Sequence, residues 1–150
     1  MTTLARPPAG RSDRTPASHV DLLERAVCGV LTTIGRDGQP QSSLVWVDFD
    51  GDCPRVNTTF ERQKCRNLRA DPRLTLLVVD PEDTSRFVQV RGDAELVTEG
   101  ALEHLDTLTR RYTHRPTYYG CVFPEAQRTL EHRVIVRIHP RRVTVDAIHA

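Results

Sequence analysis

Arg62-Gln63-Lys64-Cys65-Arg66-Asn67-Leu68-Arg69-Ala70-Asp71-Pro72-Arg73 stands between the β-branched run Val56-Asn57-Thr58-Thr59 and the apolar run Leu74 to Val79. The stretch therefore reads as a short helix interposed between two strands, closed at Asp71 because the residue before a proline is pushed out of the α region. It also holds Lys64, the sole lysine among the 21 Lys and Arg residues. A lysine is a compact, strongly hydrated point charge on a flexible stem, suited to one phosphate oxygen. Cations beside the free N–H groups of a helix start make a natural phosphate seat. The spacing of Arg62, Arg66, Arg69 and Arg73 also fits an ordinary solvated basic face. Residues two apart on a helix diverge by about 200°, so Arg62 and Lys64 can share a ligand only if Arg62 still lies on the extended segment before the helix.

Outward from this stretch the pattern is mostly that of strands. Gly29 to Ile34 alternates as a strand, Arg36-Asp37-Gly38-Gln39 carries the Asp-Gly turn signal, and Gln41 to Phe49 reads as its hairpin partner. Asp50-Gly51-Asp52 makes the next turn, before the strand Arg55 to Thr59. After the helix come a buried strand, Leu74 to Val79, and a half-buried one from Phe87 to Arg91 that continues through Ala94 to Val97, with Gly92 marking a bulge. Gly100 to Arg111 is an amphipathic helix, with Leu102, Leu105 and Leu108 on one stripe. Tyr112 to Pro124 is an aromatic-rich loop, and Val134 to Ile138 and Val143 to Val145 close the chain as strands. Near the start, Ser18-His19-Val20-Asp21 has the form of a capping box before a short helix, and residues 1–17 read as a flexible arm. Five or six strands joined mainly by hairpins, with short flanking helices, predict a small antiparallel barrel of the mainly-β or α+β kind, one domain over residues 18–150.

Composition narrows the function. A chain of 150 residues with formal charge +1 has no global basic field for nucleic acid. Cys28, Cys53, Cys65 and Cys121 are widely spaced, with no Cys-x-x-Cys pair and no zinc-finger histidine spacing. No long apolar run or signal peptide is visible, so a cytoplasmic protein with free thiols, without metal or membrane, is expected. The six histidines show no nucleophile or metal spacing. Hydrolase elbows, Walker loops and dinucleotide fingerprints are missing, so a catalytic role implies that a bound cofactor carries the chemistry.

The order of these pieces resembles a known family. The turn Gly35 to Pro40 with Gln41-Ser42-Ser43, the strand Val56 to Thr59, the Arg62-x-Lys64-x-Arg66-Asn67-Leu68-x-x-Asp71-Pro72-Arg73 helix and Val90-Arg91-Gly92 look like the pyridoxamine 5′-phosphate oxidase-like split β-barrel proteins. Within that family the chain looks most like the actinobacterial branch that uses the deazaflavin coenzyme F420. The resemblance implies a homodimer of split barrels with the cofactor in a groove between them. By position, Asn57, Thr58, Thr59, Arg62, Lys64 and Asn67 would hold the phosphate and ribityl-like chain. Gln41, Ser42, Ser43, Leu44 and Val45 would lie along the ring, and Ser85, Arg86 and Phe87 would contact it from beyond the next hairpin. The implied activity is hydride transfer between reduced F420 and a small unsaturated substrate, with no catalytic side chain assigned. FMN in the same seat, or a non-catalytic F420-binding carrier, are the alternatives. Arg36, Arg86 and Arg91 are the sequence candidates for attracting the acidic tail of F420.

Overall fold

The computed structural model describes residues 13–146. Its strands are β1 (Gly29–Ile34), β2 (Pro40–Val45), β3 (Asp48–Phe49), β4 (Pro54–Thr59), β5 (Arg73–Val79), β6 (Phe87–Val97) and β7 (Arg133–Val145), with helices α1 (Val20–Glu24), α2 (Gln63–Ala70) and α3 (Ala101–Thr113). The strands form one seven-stranded sheet in the order β2-β1-β5-β6-β7-β4-β3. Every pairing is antiparallel. The sheet curls into a split barrel around Leu31, Val56, Leu76, Val88, Val90, Val136 and Ile138, all buried. On β1, β5 and the first half of β6 these side chains alternate with half-buried or exposed ones, as the two-residue period requires, whereas on β7 Val134, Ile135 and Val136 are buried in succession. Leu22 and Leu23 of α1 plug the barrel from one side.

The sequence expectations hold at the turns. Gly38 and Gly51 take φ of +83° and +102°, which glycine adopts without Cβ strain. Asp71 is extended and ends α2 ahead of Pro72. The register of β6 on β7 slips between Arg91 and Gly92. A Cβ on Gly92 would stand 2.2 Å from the His139 carbonyl oxygen, so the bulge admits only glycine.

Several boundaries are corrected. There are seven strands rather than five or six. The span Gln41 to Phe49 is broken after Val45, because Trp46 turns aside and Val47 enters the core. The last strand runs unbroken through Pro140, which sits opposite the Gly92 bulge, where a missing N–H is tolerated. The capping box does not form: Ser18 Oγ bonds His19 Nδ1 at 2.8 Å, His19 Nε2 bonds the Asp146 carboxylate at 3.0 Å, and the Asp21 carboxylate goes to Arg86. The helix read as Gly100 to Arg111 covers Ala101 to Thr113. Of the expected flexible arm, residues 1–12 lie outside the described residues and Ala17 already begins a 3-10 turn.

Candidate functional site

Arg62 is the N-cap of α2 and is extended, with φ −81° and ψ 147°. That geometry satisfies the condition for Arg62 and Lys64 to face one ligand, and both line the same cleft. Burial lowers the Lys64 pKa, and the Coulomb repulsion of Arg62 and Arg133 lowers it further. Among the described residues neither Lys64 nor Arg62 has a carboxylate partner.

Arg133, at the start of β7, completes the cationic end. Its side chain is only 9% exposed. Nε donates to Asn57 Oδ1 at 2.9 Å and the guanidinium lies 5.3 Å from the Tyr118 ring centroid. Glu131 Oε1 forms an ion pair with Nη1 at 3.8 Å, too long for a hydrogen bond, so the cleft cations without a carboxylate partner among the described residues are Lys64 and Arg62. Arg133 Nη1 and the buried Thr58 Oγ1 have no hydrogen-bond partner, and both residues line the cleft. Buried polar atoms are nearly always paired, so two orphans beside uncompensated cations describe a seat for an anion.

Behind the cleft runs a chain of buried polar groups. Asn57 Nδ2 donates to the Ala101 carbonyl at 2.8 Å and to His104 Nδ1 at 3.1 Å. His104 Nε2 lies 3.0 Å from Asp48 Oδ2. Asp48 in turn receives Arg55 through Nε at 2.9 Å and Nη2 at 2.8 Å. Burial pushes the Asp48 carboxyl up, but the hydrogen bonds from His104 and Arg55 outweigh it and hold the group below its ordinary value. Because Asn57 Nδ2 donates to Nδ1, the tautomer that fits these contacts carries the His104 proton on Nε2, facing Asp48.

Beside the cations the cleft has an aromatic and aliphatic wall. Trp46 stacks on Tyr112 at 5.3 Å with rings 17° apart and meets Tyr118 edge-on at 6.3 Å. Tyr112 anchors this wall: its hydroxyl accepts from Val47 N at 2.9 Å and donates to the Val27 carbonyl at 2.7 Å, and burial pushes its pKa up to about 12. Leu44, Val45, Leu105 and Leu108 finish the surface. Such a cleft, with cations set beside an aromatic wall, suits a planar ligand that carries a phosphate.

Of the residues expected at the site, Leu44, Val45, Asn57, Thr58, Arg62 and Lys64 come together here. Asn57 spends its amide on the protein rather than offering it to a ligand. Thr59 is buried beside the cleft without lining it. Asn67 and Gln41 form a pin between α2 and the sheet, with Asn67 Nδ2 on Thr33 Oγ1 at 3.0 Å and on Gln41 Oε1 at 3.2 Å. Ser42 Oγ bonds Thr32 Oγ1 at 2.8 Å, and Ser43 is half-buried on the same edge strand. Ser85, Arg86 and Phe87 lie apart, in and after the turn between β5 and β6. Arg86 is committed there to Asp21, Asp80 and the Ser18 carbonyl, and the two carboxylates, Asp21 first, raise its pKa. Arg36 faces a groove with Arg66 and Arg69, whereas Arg91 shares another with Arg73, Arg141 and Arg142, so the tail candidates do not converge within one chain. No cluster of His, Cys, Asp or Glu able to hold a metal occurs among the described residues.

Trp46, Leu105, Leu108, Tyr118 and Arg133 were not read from the sequence as site residues. Arg133 reaches the cleft only through the pairing of β4 with β7, in which Thr59 faces Arg133. No local motif announces that register.

The model of the pyridoxamine 5′-phosphate oxidase family matches residues 15–145. A solved structure named an F420 reductase is 33% identical with a TM-score of 0.74, over 87% of this chain and 98% of its own. The conserved hypothetical protein Rv2991 from Mycobacterium tuberculosis is 31% identical, TM-score 0.68, over 94% of this chain and 89% of its own. The General Stress Protein 26 from Bacillus anthracis shares the fold at 19% identity and a TM-score of 0.60, over 83% and 88% of the two chains.

Proposed function

The chain belongs to the pyridoxamine 5′-phosphate oxidase family, and from that footing we propose that it is an F420-dependent reductase that works as a homodimer on a small unsaturated substrate. The observation that carries this reading is the seat made by Lys64, Arg62, Arg133 and Thr58, two of whose buried polar atoms lack a partner, facing an aromatic wall in the same cleft. Its similarity to the F420 reductase supports the choice of cofactor. When bound, the deazaflavin supplies a hydride. The chain's own residues supply binding, orientation and exclusion of water. Lys64 and Arg62 neutralise the phosphate, Arg133 and Thr58 add directed donors, and Trp46 with Leu44, Val45 and Tyr118 walls the ring. Lys64 and Tyr118 are the cleft-lining groups that carry a transferable proton, and solvent is the other source for the proton that completes reduction.

The cleft encloses about 160 Å³, below the roughly 300–1,000 Å³ of ordinary small-molecule sites. It therefore seats a phosphate and one face of a ring but not a whole tricyclic cofactor. A second copy closing over the exposed Leu44 would supply the other face. Four free thiols are in keeping with a reducing cytoplasm.

FMN carries the same phosphate and is the competing ligand. F420 has a further acidic tail, and the arginine grooves flanking α2 and the sheet should attract it over the roughly 8–10 Å that salt permits. Titration of the purified protein with F420 and with FMN across a salt series tests the reading. Tighter F420 binding at low salt, converging as salt rises, supports it. FMN co-purifying at full occupancy, or binding at least as well throughout, moves the protein to the flavin-using members. Absence of reduced-F420 turnover on every member of an enone and quinone panel, with F420 binding intact, would make it a carrier.

A further inference from the structure

We propose that His104, which does not touch the cleft, is a positioning residue for its anion seat. This role rests on the phosphate-binding reading above. A side-chain amide has two orientations of nearly equal shape, and its neighbours choose between them. At Asn57 the Ala101 carbonyl and His104 Nδ1 are both acceptors, so Nδ2 must face them. Oδ1 is left to accept from Arg133 Nε at 2.9 Å. Turning the amide over would set oxygen against two acceptors and N–H against N–H.

His104 is an acceptor at Nδ1 only because its proton is held at Nε2 by Asp48, and Asp48 is held ionised and oriented by the two-point contact of Arg55. Both His104 and Asp48 side chains are only 4% exposed, so water does not replace either partner. Polarity thus passes from Arg55 through Asp48, His104 and Asn57 to Arg133. The last member is the one group in the series that lines the cleft with an unpaired nitrogen. The series explains why Asn57, though at the site, has no donor to spare: it fixes the arginine that does.

The test uses the full chain and inorganic phosphate, titrated while the arginine Nε–H signals are followed by NMR. His104→Phe keeps the ring volume and removes the acceptor. It should weaken phosphate binding by roughly threefold to tenfold, the value of one hydrogen bond. His104→Asn returns an acceptor near the Nδ1 position and should recover affinity to within about twofold. His104→Gln instead keeps the contact with Asp48 and should stay weak, and it carries the test if the Phe variant does not fold. The decisive comparison is the cycle with Arg133→Met: if His104 acts through Arg133, losing His104 in that background costs nothing more. Wild-type affinity in both His104→Phe and His104→Gln, or an undiminished penalty in the Arg133→Met background, overturns the role. A wild-type chain that takes up no phosphate overturns the seat itself, and Lys64→Met then also has no effect. Loss of binding in Lys64→Met alone, with His104 variants unchanged, would leave the seat standing and remove only His104 from it.

Discussion

Replacing Lys64 with methionine should move stability and affinity in opposite directions. In the folded chain the ammonium is partly buried and faces Arg62 and Arg133, so its pKa lies below the ordinary 10.5. A lysine whose folded pKa is depressed binds its proton less well folded than unfolded. Its charge therefore opposes folding at neutral pH, and that penalty disappears only as pH rises toward 10.5. Methionine keeps the stem and removes the charge. Relief of a partly exposed repulsive pair is of the order of 0.2–1 kcal/mol, or about 1–3 °C in Tm for a chain of this size. The phosphate loses a charge-assisted contact of about 1.5–3 kcal/mol, roughly tenfold to a hundredfold in Kd. Scanning calorimetry without ligand should place the variant above wild type. With cofactor well above the wild-type Kd the order should reverse, because ligand binding stabilises in proportion to occupancy. A variant that melts lower than wild type without ligand, and binds as tightly, would show that the lysine serves packing and that the seat lies elsewhere.

Three further outcomes are expected. Asp50 and Glu61 are held to about 2, against 3.8 and 4.5 ordinarily; at Asp50 the Arg137 and backbone hydrogen bonds outweigh burial, and at Glu61 the His132 contact lowers it. Depressed carboxylates stabilise above their unfolded pKa, so Tm should hold above about pH 5 and fall between about 4.5 and 2, with a shallower fall in Asp50→Asn. Gly92→Ala forces a Cβ against backbone at 2.2 Å and should lose about 3 kcal/mol or more, read as a drop of at least about 6 °C in Tm or as insoluble protein. Light scattering should find a dimer burying more than about 2,000 Å². Leu44→Glu, at a position 74% exposed in one copy, should yield a monomer; a stable wild-type monomer would remove the composite groove.

The legible parts of this molecule are those whose causes are local. The bulge at Gly92 shows in the sequence only as a glycine inside a strand and owes its necessity to the distant His139 carbonyl, whereas the Asp-Gly turn and the Asp71-Pro72 stop follow from backbone constraints within a few residues. Lys64 and Arg62 were legible for the same reason, since a cap and a first turn lie side by side. Arg133 was not: it is about seventy residues from Lys64 in sequence, and only the antiparallel register of β4 on β7 brings them together. Asn57 was found, but the partners that decide its role, His104 on α3 and Ala101 before it, come from a helix whose periodicity shows only its apolar stripe. The unbroken β7 was obscured by Pro140, whose tolerance depends on a bulge in the neighbouring strand.

In the sheet order, β3 and β4 join the rest of the barrel only through β7, the last strand in chain order among the described residues. The seat at Lys64 needs Arg133 from that strand and Asn57 and Thr58 from the hairpin it docks. A chain whose β7 has not yet docked therefore has its lysine helix but no site, and a ligand of the seat cannot act as a template for the early steps of folding. Capture must follow the docking of β7, so ligand protects molecules whose sheet is complete and does nothing for those in which it is not. Shortage of cofactor should accordingly shorten the lifetime of the protein without lowering the fraction of chains that fold.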